Sequence, residues 1–300
     1  MLRIVIVLTC LLANMHVAQA ALRVFACEPE WSSLVRELGR DKVEVFSATH
    51  ARQDPHHIEA RPSLIAKMRQ ADLLVCTGAG LEEGWLPLLI RQAANSTIIP
   101  GAVGYFEAAS VVARLDVPQR VDRSHGDVHP QGNPHVHLDP RRLLQIAAAL
   151  NERLIKLDTA NQPVYTSRHA EFVQRMHGAM QRWQQQALPL KGAPVAVYHK
   201  DWLYLFDWLG ISLALTLEPK PGIPPSAGQL AEVKKIATSE QVRMVVYAAY
   251  QSDQAARWLG REANIPVVEL PYTVGGSKQA LDLFSLFDDT ITKLLRGLQS

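Results

Sequence analysis

The chain runs VYTSRHAEFVQRMHGAMQRWQQQA from Val164 to Ala187, a long polar stretch without the β-branched runs of a strand. A second stretch without strand signals, Arg141–Leu157, comes before it, and Asn161-Gln162-Pro163 separates the two. The two stretches predict two helices that are broken at this proline. We therefore expect one long, rigid linking helix near the middle of the chain, which would permit only a small closure between the parts it joins.

On both sides of these helices, short β-branched runs alternate with amphipathic stretches, a pattern typical of βαβ units and a parallel sheet. The predicted strands are Leu22–Ala26, Val43–Ala48, Asp72–Cys76 and Thr97–Ile99 in the first half, and Val195–Tyr198, Ser212–Leu217, Arg243–Tyr247 and Val267–Leu270 in the second. The predicted helices between them are Trp31–Leu38, Ser63–Gln70, Gly84–Gln92, Trp202–Leu209, Ala227–Thr238 and Gln254–Ala263. The sequence thus predicts an α/β fold of two similar lobes with parallel sheets flanked by helices.

The beginning of the chain has the pattern of a secretory signal. It carries one charge at Arg3, an apolar run that ends at Leu12, and a small-x-small end at Ala18-Gln19-Ala20. No later apolar run is long enough to span a bilayer, so we expect an exported, soluble protein. We predict a signal peptide at 1–20, an N-terminal α/β lobe at 21–160, the linking helix at 161–189 and a C-terminal α/β lobe at 190–300.

The charge and the cysteines narrow the function classes. The formal net charge is only +2, and no basic stripe with interleaved aromatic residues is present, which argues against a nucleic-acid partner. After export, Cys27 and Cys76 remain, each at the end of a predicted strand. In an oxidising compartment we expect them to form a disulfide, with metal ligation as the alternative.

Seven of the eleven histidines are concentrated in three segments. They are His56 and His57 before a predicted helix, His125, His129, His135 and His137 in the loop Ser124–Pro140, and His199 after a predicted strand. Loops beyond the carboxyl ends of parallel strands converge on the ligand crevice of an open α/β sheet, and His56 and His199 have this placement. Neutral imidazoles from separate loops are suitable ligands for Zn²⁺.

Other histidines are interpreted more simply. A single histidine in a loop or on a polar helix is ordinarily a solvated residue, and we interpret His50, His169 and His177 in this way. Two interpretations stay open for His125 and His129. They are solvated, or their loop captures an ion beside the main site.

Three motifs carry a resemblance to a known family. They are Asp54-Pro55-His56-His57-x-Glu59-x-x-Pro62-Ser63, Asn133-Pro134-His135-Val136-His137-Leu138-Asp139-Pro140 and Val197-Tyr198-His199-Lys200-Asp201-Trp202-x-Tyr204. In this order they resemble the signatures of the zinc and manganese receptors of bacterial metal ABC importers, over nearly the whole mature chain. The resemblance implies a monomeric periplasmic receptor, not an enzyme, that delivers its ion to an ABC transporter permease in the inner membrane.

The resemblance also implies the metal ligands. The family's ligand positions fall on His56, His135 and His199. His56 is preferred to its neighbour His57 because of its distance from Pro62. His137 stands where the family usually has an aromatic residue, so it either packs there or competes with His135 for the ion.

The fourth ligand is left open by the sequence. The family commonly supplies a carboxylate from a late loop, but here the corresponding segment, Leu270–Ser277, contains none. Water, Asp282 or Glu59 could complete the shell. Without an assured carboxylate we expect Zn²⁺ rather than Mn²⁺, because imidazole suits zinc and hard oxygen ligands suit manganese.

Two alternative functions use the same residues. His135, His137 and Asp139 match the His-x-His-x-Asp pattern of the metallo-β-lactamase superfamily, in which zinc with an open position catalyses hydrolysis. The pattern lies after four α/β units and before a long helix, which is the wrong place for that superfamily. A manganese-selective receptor of the same fold is the other alternative.

Overall fold

The computed structural model describes residues 20–118 and 129–300. The predicted signal peptide, apart from Ala20, and His125 lie outside the described residues. Among the helices of the described part, none is long and apolar enough to cross a membrane.

The first lobe is built on a sheet of four parallel strands. The strands are β1 (Leu22–Ala26), β2 (Val43–Ser47), β3 (Leu73–Cys76) and β4 (Tyr105–Glu107), and the helices of this lobe are α1 (Pro29–Gly39), α2 (Pro62–Arg69) and α3 (Leu86–Ala93). The strand order is β2-β1-β3-β4. The inner strand β3 is buried throughout because helices cover both faces of the sheet, which explains its continuous apolar sequence.

The fourth strand is not where the sequence predicts it. The segment Thr97–Ile99 is a predicted strand, but a 3₁₀ turn forms at Ser96–Ile98. The side chain of Asn95 stabilises the turn, because it accepts a hydrogen bond from the Thr97 N–H at 3.1 Å and donates one to the Ala71 carbonyl at 2.7 Å. The strand prediction at this position is therefore wrong, and the sheet gains β4 instead.

Two helices follow the first lobe, as the sequence predicts. They are α4 (Pro140–Leu157) and α5 (Gln162–Gln186), and α5 is 25 residues long. The helix α5 contacts α1 through an ion pair between Arg175 and Glu37 at 2.8 Å. Farther along α5, the indole of Trp183 donates a hydrogen bond to Asp288 near the end of the chain at 2.6 Å. The long linking helix is thus held at its middle and near its end.

The second lobe repeats the architecture of the first. Its elements are β5 (Pro194–Val197), α6 (Leu203–Leu209), β6 (Ser212–Thr216), α7 (Ala227–Ser239), β7 (Met244–Ala248), α8 (Gln254–Ala263) and β8 (Val267–Leu270). The strands are parallel in the order β6-β5-β7-β8, which is the same order as in the first sheet. The predicted α/β fold of two similar lobes is confirmed.

The chain ends in a helix that our sequence analysis does not predict, α9 (Leu283–Gln299). Its buried apolar side chains recur at helical spacing, at Leu283, Leu286, Phe287, Ile291 and Leu294. Phe287 packs against Trp183 of α5 with ring centroids 4.8 Å apart. The last helix therefore completes the core beside the linking helix.

The predicted disulfide between Cys27 and Cys76 is confirmed. Cys27 follows β1 and Cys76 ends the neighbouring strand β3, so their Cα atoms lie only 4.8 Å apart. The bridge joins the two inner strands of the first sheet at their carboxyl ends, the edge from which the loops of the candidate site leave.

Candidate metal centre

The structure brings the three predicted ligands together. The ring centroids of His56 and His135 lie 5.9 Å apart, those of His56 and His199 5.8 Å, and those of His135 and His199 5.4 Å. His135 is fully buried, and only 7% of His199 is exposed. The three imidazoles come from segments far apart in sequence and meet where the two lobes face each other.

A turn stabilised by side-chain hydrogen bonds positions His56. Its backbone N–H donates to the carboxylate of Asp54 at 3.0 Å, which is the local hydrogen bond that an aspartate makes in a turn. The carbonyl of Pro55 accepts a hydrogen bond from the indole of Trp85 at 2.9 Å. The loop that carries His56 is therefore anchored on a buried tryptophan of its own lobe.

Asn133 positions the other two segments relative to each other. Its side-chain oxygen accepts a hydrogen bond from the His135 N–H at 2.9 Å, and its amide nitrogen donates to the carbonyl of Lys200 at 2.9 Å. The hydroxyl of Tyr204 donates to the Asn133 carbonyl at 2.6 Å. Because Lys200 follows His199 directly, Asn133 links the segment of His135 to that of His199.

Each of the three imidazoles uses Nδ1 for a hydrogen bond to an oxygen. The pairs are His56 with Asp54 at 2.7 Å, His135 with Tyr272 at 2.9 Å and His199 with Glu218 at 2.8 Å. Such partners hold the ring of a ligating histidine and leave its Nε2 atom for the ion. The Nε2 atoms of His135 and His199 lie 3.3 Å apart.

His129 belongs to the same cluster. Its Nε2 atom lies 3.1 Å from Nε2 of His56, and ligand nitrogens of His56, His129 and His135 all lie within 4.8 Å of one another. The interpretation of His129 as a solvated loop residue is therefore wrong, because the side chain is half-buried against another imidazole. The spacing of the histidines alone could not show which of the loop residues turns inward.

Asp201 also belongs to the cluster, although the sequence alone does not mark it as a ligand. It is fully buried, and its Oδ1 atom lies 3.7 Å from Nε2 of His135. Ligand atoms of His135, His199 and Asp201 also lie within 4.8 Å of one another. Its position two residues after His199 in the third motif is the signal that could have identified it.

The protonation of the imidazoles differs across the cluster. Burial, together with the neighbouring His199, lowers the pKa of His135 well below its ordinary value. Burial and the neighbouring His56 lower the pKa of His129 to about 3. Burial works in the same direction on His199, but the carboxylates of Asp201 and Glu218 outweigh it and raise its pKa. His129 and His135 are therefore neutral donors at neutral pH.

His137 lies beside the cluster and not in it. Its Nε2 atom is hydrogen-bonded to the carbonyl of Tyr272 at 2.9 Å, and its Nδ1 atom lies 3.3 Å from a carboxylate oxygen of Glu30. The side chain is fully buried and packs edge-on against the Tyr272 ring, with centroids 5.0 Å apart. Of the two roles left open for His137, the structure supports packing.

The carboxylates that the sequence suggests as the fourth ligand lie elsewhere. Asp282 is the N-cap of α9, where its side chain accepts a hydrogen bond from the Ser285 N–H at 2.7 Å. The alternative of Asp282 as a ligand is therefore wrong, because the helix end uses its carboxylate. Glu59 is exposed, as is His57, and neither is in the groups of ligand atoms around His135.

The His-x-His-x-Asp pattern of the hydrolase alternative does not form one site. Of its three residues, only His135 lies in the cluster. Asp139 caps α4, where it accepts a hydrogen bond from the Arg141 N–H at 2.8 Å and pairs with the guanidinium of Arg142. The spacing along the chain therefore matches that superfamily without the geometry that would make it a metal site.

Two cavities border the histidine cluster. One of about 200 Å³ is lined by His56 and His199 with the carboxylates Asp54 and Glu218, and one of about 340 Å³ is lined by His129, His199 and Lys200. A larger cavity of about 630 Å³ lies along α5, and its lining includes no histidine or cysteine. The smaller of the two cavities that border the cluster thus combines imidazoles with two carboxylates, a lining that suits a divalent cation.

Comparisons with known proteins also indicate a metal-binding protein. The family described as zinc-uptake complex component A, periplasmic, matches residues 24–297. The manganese ABC transporter substrate-binding lipoprotein PsaA of Streptococcus pneumoniae is 20% identical over 285 residues, which cover 92% of this chain and 89% of that protein. The high-affinity zinc uptake system protein ZnuA of Bacillus subtilis is 22% identical over 254 residues, which cover 82% and 77%.

Solved structures share the fold. A crystal structure of ZnuA superposes with a TM-score of 0.78 at 21% identity and covers 92% of this chain and 99% of that one. The Mn-bound periplasmic metal binding protein from Candidatus Liberibacter asiaticus superposes with a TM-score of 0.73 at 16% identity, with the same coverage of 92% and 99%. The two-lobe arrangement with a long linking helix is therefore shared over nearly the whole described chain.

Proposed function

The chain belongs to the family of periplasmic component A proteins of zinc-uptake complexes, and on that premise we propose that it is a receptor that captures Zn²⁺ in the periplasm. It delivers the ion to the permease of an ABC-type importer in the inner membrane and catalyses no reaction itself. The relatives named above are substrate-binding and uptake proteins of such systems. We also propose a signal peptide at 1–20 and a monomeric mature protein.

The observation that carries the proposal is the arrangement of His56, His135 and His199. Each ring is fixed by a hydrogen bond at Nδ1, and the ring centroids lie 5.4 to 5.9 Å from one another. We propose that these three Nε2 atoms bind the ion. Zinc bound by imidazole requires Zn–N distances of about 2.0–2.1 Å, which small movements of these rings would provide.

We propose zinc in particular, although the relatives include both a zinc and a manganese protein. Imidazole nitrogen suits zinc, and the late loop Leu270–Ser277 contributes no carboxylate. In that loop, Tyr272 instead uses its hydroxyl for a hydrogen bond with Nδ1 of His135. The late loop therefore supports a ligand without adding a hard oxygen donor to the ion.

We propose that the two lobes share the ion. His56 and His135 belong to the proposed N-terminal metal-binding lobe at 21–160, and His199 belongs to the proposed C-terminal lobe at 190–300, with the linking helix at 161–189 between them. Binding would then join the lobes at the crevice. The permease could distinguish a loaded from an empty receptor by this contact.

Metal content and affinity test the proposal directly. The mature protein is purified from cells, its metals are measured by mass spectrometry, and Zn²⁺ affinity is measured by competition with a chelator. We expect zinc in the wild type and a loss of affinity in each of His56→Ala, His135→Ala and His199→Ala. The loss should exceed the about 10- to 100-fold that removal of a supporting partner costs.

His177→Ala is the matched control, since His177 is exposed on α5, far along the chain from the cluster. This control should bind zinc like the wild type. If all three alanine variants retain wild-type affinity, the ligand assignment is wrong. If deletion of the protein leaves growth under zinc limitation unchanged while the purified protein binds zinc tightly, the receptor role fails although the site stands.

A further inference from the structure

We propose that Asp201 is the fourth metal ligand and binds the ion through Oδ1, beside His135 and His199. This inference rests on the proposed function, because it assigns a further residue to the same site. It replaces the late-loop carboxylate, which this chain lacks, by a carboxylate from the segment that also carries His199.

The distances between ligand atoms favour Asp201. Four ligands at about 2.0–2.1 Å from a tetrahedral zinc ion lie about 3.4 Å from one another. The Nε2 atoms of His135 and His199 are already 3.3 Å apart, and Oδ1 of Asp201 lies 3.7 Å from Nε2 of His135. Oδ1 of Asp201 therefore lies at about the separation from Nε2 of His135 that two ligands of one zinc ion have, and within 4.8 Å of the ligand atom of His199.

The buried charge of Asp201 also favours a bound cation. Asp201 is fully buried, and the partners recorded for its oxygens within the described residues are the hydroxyl of Tyr250 at 3.0 Å and the amide of Gln251 at 2.8 Å. Neither of these hydrogen-bond partners carries a positive charge, and the groups beside Asp201 that can carry one are imidazoles of the site itself, first of all His199. A buried carboxylate is costly unless a cation compensates it, and a divalent ion beside Oδ1 would do so.

Hydrogen bonds fix the orientation of the Asp201 carboxylate. Tyr250 donates to Oδ1 and Gln251 donates to Oδ2, and Oδ1 lies 3.7 Å from Nε2 of His135. Ligating carboxylates are held by such hydrogen bonds in the same way as ligating histidines. Asp201 is thus supported as a ligand would be.

His129 is the rival for the fourth position. Its ligand nitrogen groups with those of His56 and His135, whereas Asp201 groups with His135 and His199. His135 is common to both groups. An ion bound by His135 and His199 would therefore lie nearer to Asp201 than to His129. A hard oxygen ligand beside three imidazoles would also let Mn²⁺ bind, more weakly than Zn²⁺.

A crystal structure of the zinc-loaded mature protein, with the ion located by its anomalous scattering, tests the assignment. We expect an Asp201 oxygen about 2.0–2.2 Å from the ion. Water or His129 at the fourth position, with Asp201 beyond bonding distance, would overturn the proposal.

Affinity of variants gives a second test with Zn²⁺ and Mn²⁺ as probes. Asp201→Asn and Asp201→Ala should lose more than about 100-fold in zinc affinity, the upper end for a supporting partner, and lose Mn²⁺ binding more completely. Asp207→Asn, at an exposed aspartate of α6, is the matched control and should bind as the wild type does. Circular dichroism confirms that each variant is folded.

The outcomes separate the two proposals. If the variants of His56, His135 and His199 lose zinc while the Asp201 variants keep wild-type affinity for both ions, the receptor stands and the Asp201 assignment is wrong. If the histidine variants also bind normally, the proposed site itself fails, and the assignment of Asp201 fails with it.

Discussion

The three imidazoles of the site are hydrogen-bonded to oxygens of different chemical types. Carboxylates support His56 and His199, and a phenol hydroxyl supports His135. A carboxylate partner increases the basicity of a ligating imidazole, because it stabilises positive charge on the ring. Burial raises the pKa of Tyr272 well above its ordinary value, so the phenol stays neutral. The three ligand positions are therefore electrostatically unequal.

Removal of a supporting carboxylate should weaken binding without abolishing it. We expect Asp54→Asn and Glu218→Gln to lower zinc affinity by about 10- to 100-fold, because each ring keeps its Nε2 atom but loses an anionic partner. Chelator competition measures the change. Glu232→Gln, at an exposed residue of α7, is the control. Affinities equal to the wild type in both variants would show that these carboxylates do not support the ligands.

Acid should release the ion early. A proton on His199 competes with the metal, and the pKa of this residue is raised above 6.5. Affinity is then fully present above that pKa and falls as the pH decreases through it, so we expect the loss to begin above the range of an ordinary histidine. Zinc affinity measured from about pH 8 to about pH 5 gives the midpoint. Full affinity at the acid end would contradict this prediction.

The sequence identifies the imidazoles of the site but not their supports. His56 and His199 could be found because each follows a strand, and His135 because the family resemblance includes it. Glu218 lies 19 residues from its partner His199, and Tyr272 lies 137 residues from His135. No local pattern joins such pairs. The pairing of β5 with β6 brings Glu218 beside His199, and the packing of the two lobes brings Tyr272 beside His135.

At the scale of elements, the start of α9 allows a test of whether Asp282 serves the helix or the metal site. The capping box of Asp282 and Ser285 stabilises the helix end. We expect Asp282→Ala to lower the free energy of unfolding by about 0.5–2 kcal/mol, as loss of an N-cap does, and to leave zinc affinity unchanged. Urea unfolding of the metal-free protein and chelator competition measure the two quantities.

Asp282→Asn is the matched control, because asparagine is an equally good N-cap. It should restore most of the stability that alanine loses. A fall in zinc affinity in either variant, with the fold intact, would return Asp282 to the site.

The sequence correctly predicts those strands and helices whose conformation depends on their own residues. Seven of the eight strands in the described residues overlap their predicted ranges, and the inner strands β3 and β7 are the clearest cases because they are continuous buried apolar runs. The segment Thr97–Ile99 has the same composition but follows Asn95, whose side chain satisfies the backbone in a turn. The helix α9 could have been predicted from its apolar spacing alone.

At the scale of the molecule, contacts between the lobes restrict their motion. The hydroxyl of Thr273 in the second lobe donates to the buried carboxylate of Glu30 in the first. The hydroxyl of Tyr204, on α6, lies 3.0 Å from the backbone nitrogen of Leu115. With α5 held at its middle and near its end, these contacts favour a nearly rigid pair of lobes.

We therefore expect only a small change of shape on zinc binding. The radius of gyration of the mature protein should be about 19 Å, and it should be the same within error with and without the ion. Small-angle X-ray scattering of both forms measures it. The Asp207→Asn variant, which retains the site, should give the same pair of values. A clear decrease on loading would show that the lobes close like a hinge.

The aromatic rings beside the cluster have a practical consequence. Tyr272 lies between His135 and His137, with ring centroids 5.4 Å and 5.0 Å away, and Trp31 contacts His137 at 6.2 Å. A divalent charge on His135 alters the electric field at these chromophores. Ultraviolet absorption and fluorescence therefore change with occupancy, so the unlabelled protein is its own optical indicator of loading.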